Sequence, residues 1–121
     1  MGASAVLVFG APASPLAQPR NVICGNVISA LVGVVVRNIF PHSPFYSYPL
    51  AMATSLILMM ASRTTHPPGG ALTMIAVAVP WQPGSHFLFL VVPALTGSII
   101  LVLLGMVVHN LDPKKSYPQH W

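Results

Sequence analysis

The sequence predicts an all-α, polytopic integral membrane protein, a helical bundle whose helices are interrupted at two proline-containing motifs. Hydrophobic residues make up 55% of the 121 residues and charged residues only 5%, with a mean hydropathy of +0.76. Soluble domains carry about 25% charged residues. A soluble globule of this size could not solvate its surface with five basic residues and one acidic residue. The chain is therefore expected to lie in a lipid bilayer.

Five apolar blocks follow one another along the chain, at 1–11, 22–40, 49–61, 71–80 and 87–109. A helix needs roughly 20 residues to cross a hydrocarbon core about 30 Å thick. Blocks 22–40 and 87–109 meet that length alone, and the other three do not. Because no block alternates like a barrel strand, helices are the predicted elements.

Polar breaks that contain proline separate the short blocks. Residues 12–21 read "PASPLAQPRN" and residues 62–70 read "SRTTHPPGG". Around the second break, blocks 49–61 and 71–80 form either one crossing helix that is broken near its middle or a re-entrant hairpin. Either arrangement is tolerated only where the irregular backbone is covered by protein or lines a wet cavity.

Charge placement favours the broken helix over the hairpin. Arg37 lies at the end of block 22–40, and Lys114 and Lys115 follow the last block. The positive-inside rule places both ends on one side of the membrane. A single broken crossing between them satisfies that condition, whereas a hairpin does not.

The second break has the composition of an anion site. A proline at the first helical position leaves the following N–H groups at a positive helix end. Free N–H groups of the two glycines would face the break, where basic and hydroxyl side chains add donors. The predicted substrate-binding residues here are Arg63, Thr65, His66, Pro67, Pro68, Gly69 and Gly70.

The first break repeats this pattern with Arg20 and Asn21, which complete the predicted site. Shifting the chain by 48 residues lays 17–25 over 65–73, and paired interrupted segments are a sequence pointer to a transporter's binding site. The alternatives remain open. The arginines could snorkel to headgroups, and His66 could cap a helix or satisfy a buried carbonyl.

Other classes of function are poorly supported. Asp112 is the one acidic residue, so no carboxylate pair exists for acid–base catalysis, and we expect no enzyme and no catalytic residue. The five histidines show no metal-ligand spacing, so neither a metal nor a cofactor is expected. The basic residues are dispersed, which argues against nucleic acid as a partner. The expected partners are the lipid bilayer and a small inorganic anion.

Small residues recur every four positions in block 22–40, at Gly25, Ser29 and Gly33. Such a face lets another helix approach closely. It could serve packing within the subunit, which we favour, or a homo-oligomer.

The chain resembles the HPP family of integral membrane proteins in three stretches. These are "GASAVLVFGAPASPLAQPRNVICGNVISALVGV" (2–34), "RTTHPPGGAL" (63–72) and the tail "VVHNLDPKKSYPQHW". The resemblance implies one polytopic domain over 1–121, of a kind usually described with four transmembrane helices. The chain departs from the family pattern in two expected respects: an upstream helix of the family is missing, and the C-terminal CBS pair that some members carry is not present.

Plant members of that family are associated with nitrite transport at the chloroplast membrane. The resemblance therefore implies a small-anion, nitrite-like transporter or permease. The alternative is a non-transporting structural or sensory membrane module. The location is integral to a membrane, with the bacterial plasma membrane and the plastid envelope both open.

Overall fold

The computed structural model describes residues 1–41, 43–79, 88, 90–113 and 115–120, and every regular element in this part of the chain is helical. Its elements are α1 (Gly2–Gly10), a 3₁₀ turn (Pro15–Ala17), α2 (Pro19–Ile39), α3 (Pro44–Ala61), α4 (Pro68–Ala78), and a π-helical segment (Leu90–Thr96) that leads into α5 (Gly97–Asn110). Lys114 and most of the connection between α4 and the π-helical segment lie outside the described residues.

The helices run alternately up and down around α2. Asn26 of α2 contacts Ser4 of α1 and Ser98 of α5, whereas Val22 packs with Val8 and Val102, so α1 and α5 both run antiparallel to α2. Consequently α1 and α5 are parallel to each other. One end of the bundle, which we call the proline end, holds residues 11–18 and 62–67.

Helices α3 and α4 form a hairpin, so the single broken crossing that the charges favoured is wrong. The hydroxyl of Ser29 in the middle of α2 lies 3.0 Å from that of Ser55 on α3, and Gly69 of α4 packs on the same serine. Farther along α2, Val36 clusters with Ala51 and Val77. Hence α3 runs antiparallel to α2 and α4 runs parallel to it.

This topology also changes where the positive charges fall. Arg37 lies in the last turn of α2, at the end opposite the proline end. The tail that follows α5 returns to the proline end, where Tyr117 donates to the backbone oxygen of Ala17. Arg37 and Lys115 therefore lie at opposite ends of the bundle. The expectation that both flanks share one side is wrong, because the hairpin adds a crossing.

Helix α3 is longer than the apolar block that predicted it. The helix begins at Pro44, five residues before block 49–61, and Pro49 lies inside it. Proline at the first helical position fixes φ near the helical value and lacks an N–H that would be unpaired there. The aromatic residues between Phe45 and Tyr48 therefore belong to the first turn of a helix.

Helices α2 and α4 approach each other closely at the small-residue face. A Cβ on Gly33 would lie 2.5 Å from the Cβ of Ala76, and a Cβ on Gly25 would lie 2.6 Å from that of His66. Ser29 is fully buried between α3 and α4. The small-residue face is thus packed against other parts of the same chain.

The outward surface is apolar over most of the bundle. Helix α2 and the segment Val92–Asn110 have mean hydropathies of 1.9 and 2.1 and are long enough to cross a bilayer. Large hydrophobic side chains that are at least half exposed recur on the outer faces: Val6, Ile39, Ile57, Met60, Ile100, Leu103, Leu104, Val107 and Val108. A surface of this kind is solvated by lipid tails and not by water.

The tail after α5 is fixed to the proline end. Tyr117 is 1% exposed and its hydroxyl donates to the oxygen of Ala17 at 2.7 Å. The side-chain oxygen of Gln18 accepts the N–H groups of Gln119 and His120. Burial raises the pKa of Tyr117 to about 12.

We expect Gly33→Ala to lower the free energy of unfolding by about 1–3 kcal/mol, because the added methyl group overpacks the contact between α2 and α4. Reversible unfolding in detergent micelles measures the loss. Gly10→Ala is the control, because no atom lies within 4 Å of its added Cβ. Equal stability of the two variants would contradict this packing.

We also expect stability to decline as the pH rises from about 10 toward about 12. The folded state holds the pKa of Tyr117 at about 12, above its ordinary 10.0. A raised pKa contributes stability that is complete below pH 10 and is lost as the pH passes through 12. Tyr117→Phe should show a smaller decline in alkaline unfolding measurements; an identical decline in both proteins would refute the assignment.

Candidate functional site

The two proline segments, which the sequence predicts to be a pair, meet at one end of the bundle. Pro19 is the first residue of α2 and Pro68 is the first residue of α4, so both motifs open helices. These two helices are parallel neighbours, and their starts therefore lie at the same end. The site residues predicted in both segments come together there, each with a different environment.

His66 is fully buried and joins the two segments. Its Nδ1 lies 2.9 Å from the backbone oxygen of Leu16, and its Nε2 lies 2.9 Å from the hydroxyl of Ser4 on α1. A carbonyl oxygen can only accept, so Nδ1 carries the proton. Nε2 of the neutral ring then accepts from Ser4. Both ring nitrogens are thus used inside the protein.

Asn21 and Arg20 add two further links between the segments. The Asn21 amide donates to the oxygens of Pro15 and Thr65, at 2.9 and 3.3 Å. Arg20 is exposed, and its guanidinium donates to the oxygen of Ser62 at 3.3 Å. Ser62 ends α3, where a cation is favoured by the negative end of the helix dipole.

Arg63 occupies a backbone conformation that normally selects glycine. Its φ is 54°, and it follows the last residues of α3. The N–H of Arg63 donates to the oxygen of Met60, and the N–H of Thr64 donates to that of Met59. This pair of bonds is a Schellman motif, in which the left-handed residue costs roughly 1–2 kcal/mol unless it is glycine. The Arg63 side chain is exposed.

The glycines of the second segment do not offer free N–H groups, so that expectation is wrong. The N–H of Gly69 donates to the oxygen of His66 at 2.8 Å, and that of Gly70 donates to the oxygen of Pro67 at 3.0 Å. The chain tightens into a 3₁₀-type turn as α4 begins, which uses both donors. Gly69 is needed for another reason, because its Cβ would lie 2.5 Å from the Ser29 hydroxyl.

The remaining predicted residues have minor contacts. Thr65 is half-buried and contributes its backbone oxygen to Asn21. Pro67 is exposed and Pro68 is half-buried where the chain enters α4. The two arginines share the proline end but differ in their surroundings. Arg20 lines a groove with Thr64, and Arg63 is not among the described residues that line this groove.

Sequence reasoning missed a polar cluster inside the bundle. Asn26 is fully buried on α2, and its amide nitrogen lies 3.4 Å from the Ser4 hydroxyl and 3.0 Å from the Ser98 hydroxyl. Since Ser4 also donates to His66, the cluster extends that histidine's network toward the bundle centre. Asn26 Oδ1 has no hydrogen-bond partner within the described structure. The available signal was that Ser4, Asn26 and Ser98 each lie inside a largely apolar block.

A second buried cluster lies between α2, α3 and α4. The Ser55 hydroxyl is 3.0 Å from that of Ser29 and 3.1 Å from that of Thr73. Thr73 also donates to the oxygen of Gly69. All three side chains are fully buried, so they interact with one another and not with lipid.

The sequence comparisons agree with this architecture. A model of the HPP transmembrane region matches residues 1–118. Two transmembrane proteins of Dictyostelium discoideum are 44% and 38% identical over 98% of this chain. The chain spans only 43% and 39% of the length of these curated relatives. No solved structure matches. The chain is integral to a membrane and belongs to the HPP transmembrane family.

Proposed function

We propose that this domain admits a small inorganic anion, of the nitrite type, at its proline end. The observation on which the proposal rests is Arg63. A positively charged side chain stands exposed at a left-handed position, where glycine would be more stable. Strained backbone positions of this kind concentrate at ligand-binding sites. No bond is made or broken in the proposed function.

The charge at this end supports attraction of an anion. Arg20 and Arg63 are both exposed there, and residues 12–21 and 62–70 include no acidic residue. Cations beside a low-dielectric bundle raise the local concentration of small anions. An arginine fork also matches the planar oxygen pair of a nitrite ion.

Neutral donors inside the bundle support passage beyond the entrance. The Ser4, Asn26 and Ser98 cluster begins at His66, and the Ser29, Ser55 and Thr73 cluster begins beside Gly69. Both clusters therefore lead from the proline end toward the bundle centre. Hydroxyl and amide groups can donate to an anion without a full charge that would trap it.

One observation favours the second candidate, a non-transporting structural or sensory module. The His66 ring forms hydrogen bonds with Leu16 and Ser4, and the Asn21 amide donates to Pro15 and Thr65. All four partners lie within the chain. Such links fix the two segments whether or not an anion passes. The two candidate functions can be distinguished by measuring whether a substitution changes the anion flux, the stability of the protein, or both.

We expect Arg63→Ala to lower nitrite flux into proteoliposomes about tenfold or more, because a charge-assisted hydrogen bond is lost. Arg63→Lys should retain part of the flux. Arg63→Gly is the decisive control, because it removes the charge and relieves the left-handed strain, so stability should rise by about 1 kcal/mol while flux falls. Unchanged flux in both charge-removing variants would contradict the proposal and favour the structural module.

We expect His66→Ala to lower both flux and stability, because it leaves the Leu16 oxygen unpaired and opens a buried cavity. The cost should be about 2–4 kcal/mol in unfolding experiments. Ser4→Ala should cost about 1–2 kcal/mol by leaving Nε2 unpaired. In the double variant the two costs should not add, since the residues are hydrogen-bonded. Additive costs would exclude the bond between them.

A further inference from the structure

A groove on the outer face of the bundle follows one stripe of α2. It has a volume of about 540 Å³, and its lining includes Arg20, Ile23, Cys24, Val27, Thr64 and Leu95. Positions 20, 23, 24 and 27 share one side of a helix. The stripe extends about 10 Å along the helix axis. It is polar at the proline end and apolar below.

Arg20 defines the polar end of this groove. It is exposed, and within the described structure its guanidinium makes one hydrogen bond, to the oxygen of Ser62. A guanidinium has five N–H donors in a planar fork. Asp112, the chain's single acidic side chain, lies in the tail at the proline end and is not among the described residues that line this groove. Because no acidic side chain lines the groove, a counter-charge for Arg20 within it comes from another molecule.

We propose that the groove is a binding site for an anionic phospholipid, with the phosphodiester at Arg20 and one acyl chain along Ile23, Val27 and Leu95. Arginine recognises phosphate oxygens in a bidentate manner. The apolar stripe removes the acyl chain from contact with other lipids and fixes its position. This ligand is amphipathic and is held by the protein, so the inference goes beyond the proposed permeation.

Two other occupants fit the groove less well. A helix from another protein would cover Arg20 without an opposing charge unless it carried an acidic residue at that depth, which is costly. A free inorganic anion could use Arg20, but it would gain nothing from about 10 Å of apolar wall. The combination of a cation at the membrane end and a hydrocarbon lining matches a lipid.

Cys24 provides a reporter inside the groove. It is the only cysteine in the sequence, is exposed, and lies one turn from Arg20. The test measures the rate of its modification by a maleimide in nonionic micelles. Each sample contains phosphatidylglycerol, phosphatidylcholine or glycerol phosphate. We expect phosphatidylglycerol to slow the reaction about tenfold at low salt and the other two to leave it unchanged.

Variants of the two arginines identify the source of the protection. Arg20→Gln should abolish it and Arg20→Lys should reduce it, because lysine keeps the charge but loses the fork. Arg63→Ala is the matched control and should retain full protection, since Arg63 does not line the groove. Circular dichroism verifies folding, and if Arg20→Gln does not fold, Arg20→Lys decides.

Several results would overturn the proposal. Equal protection by phosphatidylcholine would indicate apolar covering alone, and protection by glycerol phosphate would indicate a free-phosphate site. The role of Arg20 would be excluded if phosphatidylglycerol still protected Cys24 in Arg20→Gln, or if Arg20→Lys retained full protection. It would also be excluded if Arg63→Ala lost the protection to the same extent. No anion flux is measured here, so failure of the permeation hypothesis leaves this test unaffected.

Discussion

The two hydrogen bonds of the His66 ring hold the proline end together. One reaches the 3₁₀ turn before α2 and the other reaches α1, so a single side chain connects three separate parts of the sequence. Burial favours the neutral ring, in which Nδ1–H donates to the Leu16 oxygen and Nε2 accepts from the Ser4 hydroxyl. The links from Asn21 and Arg20, the start of α4 and the close approach of Gly25 to His66 lie around the same histidine at this end of the bundle.

Composition was enough to predict a helical membrane protein, and the two long apolar blocks were located correctly. The hairpin of α3 and α4 was not predicted, because an interrupted apolar segment looks the same whether it continues or reverses. Contacts between helices distinguish the two arrangements. Ser29 of α2 contacts both Ser55 of α3 and Gly69 of α4, so the chain reverses between α3 and α4. The sequence did not predict that the aromatic residues after Pro44 are helical, because the apolar pattern begins only at residue 49.

The residues predicted as a site lie at one end of the bundle, but the contacts of the glycines differ from the prediction. Proline and glycine at a helix start suggested open donors, yet Gly69 and Gly70 close a turn, and their missing side chains serve close packing. The two arginines also differ in their surroundings. Arg63 has a left-handed backbone conformation, whereas Arg20 contacts the end of α3 and lines a groove that Arg63 does not line. Equal charge in the sequence therefore gives two different environments.

The parallel pairing of α1 with α5 has a consequence for the order of assembly. Gly105 of α5 packs on Val8. His109, which is 101 residues after Val8 in the chain, contacts the oxygen of Val8. The contacts of α1 with α5 can therefore form only after the segment that contains α5 has been synthesised. Contacts between residues so far apart in sequence slow folding, because the ends of a long intervening segment must first be brought together.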